Sequence, residues 1–163
     1  MPANEYRFET RWRVEAPPEV VTEILTDAKD LPRWWPAVYL SVEEESPGIY
    51  ALHTRGWLPY TLRWKFTVTS THHPYGFELH AWGDLEGNGV WTFERDGSST
   101  DIRYQWNVLA EKPVLRRLSF LLKPIFAANH RWAMVRGEES LRREILLRRR
   151  GAGVAGESNV HHR

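Results

Sequence analysis

The sequence predicts one α+β domain, in which a seven-stranded antiparallel sheet packs against a long C-terminal helix and two short helices follow the first strand. Three observations lead to this prediction. Seven runs of alternating apolar and polar residues are separated by turn residues, as in a meandering sheet. A 3.6-residue apolar period then extends from about residue 113 to residue 150. The chain length of 163 residues suits a single domain with its own core.

The first predicted strand covers residues 6–15, where aromatic and aliphatic side chains alternate with charged ones. Residues 18–26 then carry apolar side chains at helical spacing, with Pro18 in the first turn, where a missing N–H costs no hydrogen bond. The sequence of residues 27–36 predicts a second short helix or turn, which Pro36 ends.

Six further segments have the alternation of strands and are bounded by turn residues. They cover residues 38–45, 49–55, 60–70, 77–83, 89–94 and 101–110. The connection through Gly97 has the composition of a tight hairpin. Short connections of this kind favour antiparallel pairing between strands that are neighbours in the sequence.

The long helix is predicted from Pro113 to Arg150, and Pro124 either kinks it or marks the end of a preceding short helix. Arginines crowd its final turns, where cations complement the helix dipole. We expect one domain over residues 1–150 and a disordered C-terminal tail over residues 151–163, because the tail is small and polar.

Composition argues against several classes of function. The 22 basic and 21 acidic residues give a net charge of +1, which leaves no overall field to attract nucleic acid. The absence of cysteine excludes disulfides and thiolate chemistry. No apolar run reaches the roughly 18 residues of a spanning helix, and the first residues are polar. We expect a cytoplasmic protein with no nucleic-acid partner and no stable membrane insertion, with transient membrane contact and oligomeric state left open.

Several stretches of the sequence are distinctive. They are Ala16-Pro17-Pro18-Glu19-Val20 leading into Trp34-Trp35-Pro36, then Gly83-Asp84-Leu85-Glu86-Gly87, and finally Asn129-His130 through Gly137-Glu138-Glu139 to Leu141. These stretches resemble structural landmarks of the START-like superfamily, also called SRPBCC, and of its polyketide cyclase/dehydrase branch. The resemblance covers about residues 6–150 and includes no catalytic signature. It implies the helix-grip fold, in which a curved sheet wraps around the C-terminal helix and leaves a cavity between them.

Such a cavity suits an apolar or aromatic ligand, and no cofactor is implied. The alternation of the strands and the period of the helix predict which side chains face it. They are Phe8, Trp12, Trp64, Phe66, Leu79, Ala81, Trp91, Phe93, Tyr104 and Trp106 from the sheet, and Phe126, His130, Met134 and Leu141 from the helix.

His130 and Tyr104 are the polar candidates within this apolar set. His130 lies four residues from both Phe126 and Met134, so a neutral imidazole there is suited to orient a ligand carbonyl or to act as a general acid or base. The alternative is that it only hydrogen-bonds the sheet. The Tyr104 hydroxyl is suited to meet a ligand oxygen, and the alternative is simple core packing.

Other polar and apolar features leave their roles open. The direction of His53 and His80 depends on strand register, which is uncertain by one residue. His72 and His73 lie in a turn without further ligands nearby, so we expect no metal site. The apolar loop of residues 57–60 fits either a lid or membrane-touching tip at the cavity mouth, or packing beneath the first helices.

Three functions follow from these features. The first is a binding or carrier module for an apolar or aromatic molecule, such as a lipid, an isoprenoid or a polyketide-like compound. The second is an enzyme of the cyclase/dehydrase kind, in which His130 or Tyr104 moves protons. The third is a protein-interaction module with the same fold. Cavity volume, the number of polar groups inside and the apolar surface outside discriminate between them.

Overall fold

The computed structural model of the chain describes residues 4–160, apart from the side chains of residues 119, 120, 122 and 153–160. Its elements follow the predicted order of strand, short helices, six strands and long helix. They are β1 (Glu5–Val14), α1 (Pro18–Thr26), a 3₁₀ turn (Ala28–Asp30), α2 (Leu31–Trp34), β2 (Tyr39–Ser46), β3 (Ile49–Arg55), β4 (Thr61–Thr71), β5 (Gly76–Gly83), β6 (Leu85–Asp96), β7 (Ser99–Ala110) and α3 (Pro113–Val160). The predicted α+β helix-grip fold is confirmed.

The seven strands form one open antiparallel sheet in the order β1-β7-β6-β5-β4-β3-β2. Consecutive strands from β2 to β7 are neighbours, and β1 returns to pair with β7, so that Trp12 lies opposite Ile102. The long helix α3 packs across β1 and β7. One face of the curved sheet is therefore turned towards α3, and alternate strand residues point into the space between them.

Strand β6 differs from the prediction, because it begins at Leu85 rather than at residue 89. The intervening glycines resemble a turn in the sequence, but Gly87 pairs with Val108 of β7. A Cβ at Gly87 would stand 2.0 Å from the Asn107 carbonyl oxygen, so glycine here permits a close approach of two backbones.

The two short helices cover one end of the sheet. Helix α1 buries Val21, Ile24 and Leu25 and packs against β6. The hydroxyl of Thr22 donates a 2.7 Å hydrogen bond to the Pro74 carbonyl, which ties α1 to the turn before β5. This end of the space between sheet and helix is consequently filled by side chains.

An ion-pair cluster fastens α2 to α3. The Arg33 guanidinium donates to both carboxylate oxygens of Glu144, at 2.6 and 3.0 Å, and also to Asp30 at 2.7 Å. The Glu144 side chain is buried, and the hydrogen bonds from Arg33, followed by those from Arg148, hold the pKa of its carboxyl below the ordinary value. A buried carboxylate needs such partners, so the cluster fixes the position of α2.

Helix α3 is continuous through Pro124. The prediction that this proline marks the end of a preceding short helix is therefore wrong. Its backbone is helical to Val160, ten residues beyond the predicted end at Arg150. The predicted disordered tail of residues 151–163 thus includes a described helical segment, in which no proline stops the helix. Residues 161–163 lie outside the described residues. Within the described part of the chain, no helix is both long and apolar enough to cross a membrane.

Candidate functional site

A cavity of about 150 Å³ lies between the sheet and α3, at the end that the short helices leave open. Residues of six strands, all except β5, contribute to its wall, together with α3 and the segments after α2 and β3. The lining residues are Tyr6, Phe8, Trp35, Val38, Tyr39, Thr54, Arg55, Gly56, Tyr60, Leu62, Trp64, Leu85, Trp91, Tyr104, Trp106, Val108, Ala110, Leu115, Phe126, Asn129, His130, Ala133 and Met134. The wall is mostly aromatic and aliphatic, which suits an apolar guest.

Stacked rings form the sheet side of the cavity. Tyr104 and Trp91 stack with ring centroids 4.0 Å apart, and Trp106 continues the layer at 5.8 Å from Tyr104. Trp64 closes it at 5.6 Å from Trp106 and donates a 3.0 Å hydrogen bond from Nε1 to the Thr54 hydroxyl. Closely packed rings have little freedom, so this wall is rigid.

His130 faces this wall from α3. Its ring stacks on Phe8 with centroids 4.1 Å apart, and its Nε2 atom is shielded from solvent without a hydrogen-bond partner among the described residues. Burial lowers the pKa of His130 to about 4, so the imidazole is neutral at physiological pH. A neutral imidazole can accept or donate a hydrogen bond, and this one keeps that capacity for a group inside the cavity.

Tyr104 brings a hydroxyl to the opposite side of the cavity. Burial, and then the neighbouring Tyr39, raise the pKa of Tyr104 well above its usual value, and burial also raises that of Tyr39. Both phenols are therefore protonated at any physiological pH and remain able to donate. Gly89 makes room for this ring, since a Cβ there would lie 3.1 Å from the Tyr104 hydroxyl oxygen.

The mouth of the cavity is shaped by the loop between β3 and β4. The Asn129 side chain of α3 accepts hydrogen bonds through Oδ1 from the backbone N–H of Trp57 at 2.7 Å and of Leu58 at 3.1 Å. Gly56 lies directly against Asn129, where a Cβ would be 2.4 Å from Oδ1. Trp57 is 60% exposed, while Tyr60 turns inward and lines the cavity. Asn129 thus holds the loop beside the opening.

The structure separates the predicted cavity residues into two groups. Those that line the cavity are Phe8, Trp64, Trp91, Tyr104, Trp106, Phe126, His130 and Met134. Those that do not are Trp12, Phe66, Leu79 and Phe93 with Ala81 and Leu141, which are buried in the solid core instead. The reason is the cover provided by the short helices. Trp35 packs against Trp12 with centroids 5.6 Å apart, and α1 lies over β6, so no space remains at that end.

The other histidines that the structure describes lie away from the cavity. His53 and His80 point to the outer face of the sheet, between buried neighbours that point inward, and His80 pairs with Asn88 at 3.1 Å. His72 lies in the exposed turn before β5, 3.1 Å from the Ser70 hydroxyl. Among residues 4–160 no group of three or more His, Asp or Glu side chains is arranged to hold a metal ion.

Sequence reasoning missed several residues of the wall. Trp35 enters it from the segment after α2, Tyr39 from the first residue of β2, and Arg55 and Tyr60 from the two ends of the mouth loop. Trp35 lies outside the predicted strands, and the other three lie at or next to the ends of predicted strands, where alternation alone does not show that a side chain reaches the cavity. The Trp34-Trp35-Pro36 stretch was the available signal, because three bulky residues in a row need a place to pack.

Comparison with known families agrees with this architecture. The family model "Polyketide cyclase / dehydrase and lipid transport" matches residues 5–145, which is most of the chain. The chain belongs to this family. A comparison with curated proteins gives no significant match.

Solved structures similar to this member of the polyketide cyclase/dehydrase family share its fold at low sequence identity. The ZhuI aromatase/cyclase from Streptomyces sp. R1128 has a TM-score of 0.70 at 19% identity, with 91% of this chain and 98% of that chain covered. A START superfamily protein from Mycobacterium smegmatis has a TM-score of 0.69 at 14% identity, with coverage of 86% and 97%. The di-domain ARO/CYC BexL has a TM-score of 0.57 at 16% identity, covering 85% of this chain and 50% of that one. Identities this low establish the fold alone.

Proposed function

We propose that the protein binds an aromatic small molecule of the polyketide or lipid class, with a ring seated in the cavity and a polar group of the ligand beside His130. The observation that carries this proposal is the unpartnered Nε2 atom of His130 in a mostly apolar, ring-lined cavity. Buried polar atoms in proteins almost always have a partner, and each exception requires a reason. A ligand hydroxyl or carbonyl would supply the missing partner.

The cavity volume limits what fits inside. About 150 Å³ accommodates one aromatic ring, whereas sites for drug-sized ligands usually measure roughly 300–1,000 Å³. A larger ligand must therefore place one ring inside and extend the rest through the mouth, past Arg55, Gly56 and Tyr60. This favours a ligand with a flat, ring-like end over a bulky one.

Toluene and p-cresol test this proposal, because they have the same ring and methyl group and differ by one hydroxyl. Titrations followed by tryptophan fluorescence should show that both bind and that p-cresol binds roughly three- to tenfold more tightly, which is the usual contribution of one hydrogen bond. In His130→Leu the preference for p-cresol should disappear while toluene still binds. His53→Leu on the outer face is the matched control and should behave like the wild type.

Two results would contradict the proposal. If neither compound binds, the cavity is not a ligand site. If His130→Leu keeps the full preference for p-cresol, then His130 is not the partner of the ligand hydroxyl, and the unpartnered atom has been misinterpreted.

A second candidate function is catalysis of the cyclase/dehydrase kind, and the observation that favours it is the presence of both His130 and Tyr104 on the cavity wall. A histidine with a pKa of about 4 is a weak base at neutral pH, so general base catalysis by His130 is poorly matched to this site. Binding therefore has the better support. Catalysis would require that His130→Leu lose turnover of a poly-keto substrate without an equal loss of binding.

We also propose that residues 1–150 form the complete binding domain. The family match ends at residue 145, and the cavity-lining residues within the described part of the chain all precede residue 135. A chain ending at Arg150 should bind p-cresol as the full chain does. A loss of binding on truncation would show that the last residues of α3 contribute.

A further inference from the structure

The first half of α3 exposes an apolar stripe, which consists of Val114, Leu118, Leu121 and Ile125. These side chains are between 40% and 65% exposed. Their spacing of four, three and four residues places them on one face of the helix. This face differs from the one that lines the cavity, to which Phe126 and His130 belong. The stripe is thus an apolar helix face that is exposed rather than packed against the core.

The same segment is strongly basic. From Lys112 to Arg136 the chain contains six Lys and Arg residues and no Asp or Glu. Arg116, Arg117 and Lys123 of this segment are exposed. Near the other end of α3 an acidic partner is present, because Arg148 pairs with Glu144 there. The helical segment that carries the apolar stripe therefore has a local excess of positive charge, although the whole chain is nearly neutral.

The stripe borders the cavity mouth. Asn129, one turn beyond Ile125, holds the loop that carries the 60% exposed Trp57. Phe126, next to Ile125 in the sequence, lines the cavity. The apolar stripe, Trp57 and the opening therefore lie on one side of the molecule.

An anionic lipid surface fits this combination better than a protein partner does. Helices that lie in a membrane interface combine an aliphatic face with Lys and Arg, and Trp is enriched at the same depth. A single helix presents a convex face, to which fluid headgroups adapt but for which a protein would need a matching acidic groove. Long cationic side chains can reach headgroups while their stems lie along the apolar boundary.

We propose that the apolar stripe and Trp57 dock the protein on an anionic membrane, with the cavity mouth turned towards the bilayer. Docking of this kind is a function additional to ligand binding and does not depend on which ligand is bound. It would place the opening where apolar molecules partition.

Vesicle co-sedimentation tests this proposal with phosphatidylcholine alone and with phosphatidylcholine mixed with phosphatidylserine. The wild type should bind the mixed vesicles, bind the neutral ones much more weakly, and be released by salt. Replacing Arg117, one helical turn from Leu121, by Gln should weaken binding roughly fivefold, since each basic residue near the surface contributes about fivefold. Leu121→Glu should weaken it by at least about tenfold because it places a charge in the apolar face.

Exposed positions outside the stripe provide matched controls. Leu147→Glu changes a leucine that is 51% exposed near the other end of α3, and Arg143→Gln removes an exposed charge there. Both should bind the mixed vesicles like the wild type. Toluene binding, measured on the same variants, should be unchanged, which separates a failure of docking from a failure of the ligand cavity.

The proposal is overturned if the wild type binds neither vesicle at low salt, a result that would favour an acidic protein as the occupant of the stripe. It is equally overturned if Leu147→Glu and Leu121→Glu weaken vesicle binding to the same extent. Equal binding to neutral and anionic vesicles would refute the role of the basic residues.

Discussion

Filling the cavity from α3 should stabilise the fold and abolish ligand binding at the same time. Ala133 lies on the cavity wall, one helical turn beyond His130. Leucine at this position adds three carbon atoms that can enter the empty space without displacing the aromatic wall. Leucine is also a good helix former, so the backbone should tolerate the change.

The expected stabilisation follows from the cavity volume. The cavity of about 150 Å³ has room for three further carbons. Each buried methylene contributes about 0.8 kcal/mol, so Ala133→Leu should raise the free energy of unfolding by roughly 2 kcal/mol. For a chain of this length, that corresponds to a rise in Tm of roughly 4–8 °C.

Urea unfolding and toluene titration measure the two effects on the same variant. Ala127→Leu, on α3 but outside the cavity lining, is the control and should bind toluene like the wild type. If Ala133→Leu instead lowers the free energy of unfolding by more than about 1 kcal/mol, overpacking has occurred and the space is not available to the leucine side chain. Normal toluene binding by Ala133→Leu would also contradict the expected filling of the cavity.

Three further predictions concern His130, Asn129 and Gly137. Burial lowers the His130 pKa from 6.5 to about 4, so between these two pH values His130 is protonated in the unfolded chain but not in the folded one. The free energy of unfolding should therefore fall by up to about 3 kcal/mol from pH 6.5 to pH 4. His130→Leu should remove this part of the pH dependence, and an unchanged difference between the two pH values would show that His130 is not its source. Asn129→Ala should speed amide hydrogen exchange in the mouth loop by about tenfold or more, because the acceptor for two backbone N–H groups is lost. Asn129→Asp keeps an acceptor oxygen and should not speed the exchange. Equal exchange rates in the wild type and both variants would show that Asn129 does not anchor the loop. Gly137→Ala should lower the free energy of unfolding by roughly 2 kcal/mol, because the added Cβ would lie 2.3 Å from the Trp35 ring. Gly151→Ala is the control and should be neutral or slightly stabilising, because a Cβ there meets open space. Similar effects at both glycines would be inconsistent with this packing.

Local periodicity predicted most of the fold. Strand β3 and helix α1 have the predicted bounds, because alternation and helical spacing are properties of neighbouring residues. The start of β6 was missed for the opposite reason. Gly87 is needed for its contact with β7, and no local pattern separates such a glycine from one in a turn.

The site was only partly predictable, because its boundaries depend on contacts between distant residues. The Arg33–Glu144 pair joins residues 111 apart in the sequence, and Asn129 reaches the loop 71 residues before it. Trp12 has the inward direction that was predicted, yet Trp35 occupies the space in front of it. Alternation gives the direction of a side chain, whereas the volume left open depends on the whole fold.

Binding of an apolar molecule in the cavity between the sheet and α3 can be measured directly through a methionine of the chain. The two methionines are Met1 and Met134, and Met134 lines the cavity. In protein labelled with ¹³C in the methionine methyl groups, toluene should shift the Met134 signal saturably, with the affinity seen by fluorescence. A Met134 signal that stays fixed while fluorescence reports saturation would place the ligand elsewhere and contradict binding in this cavity.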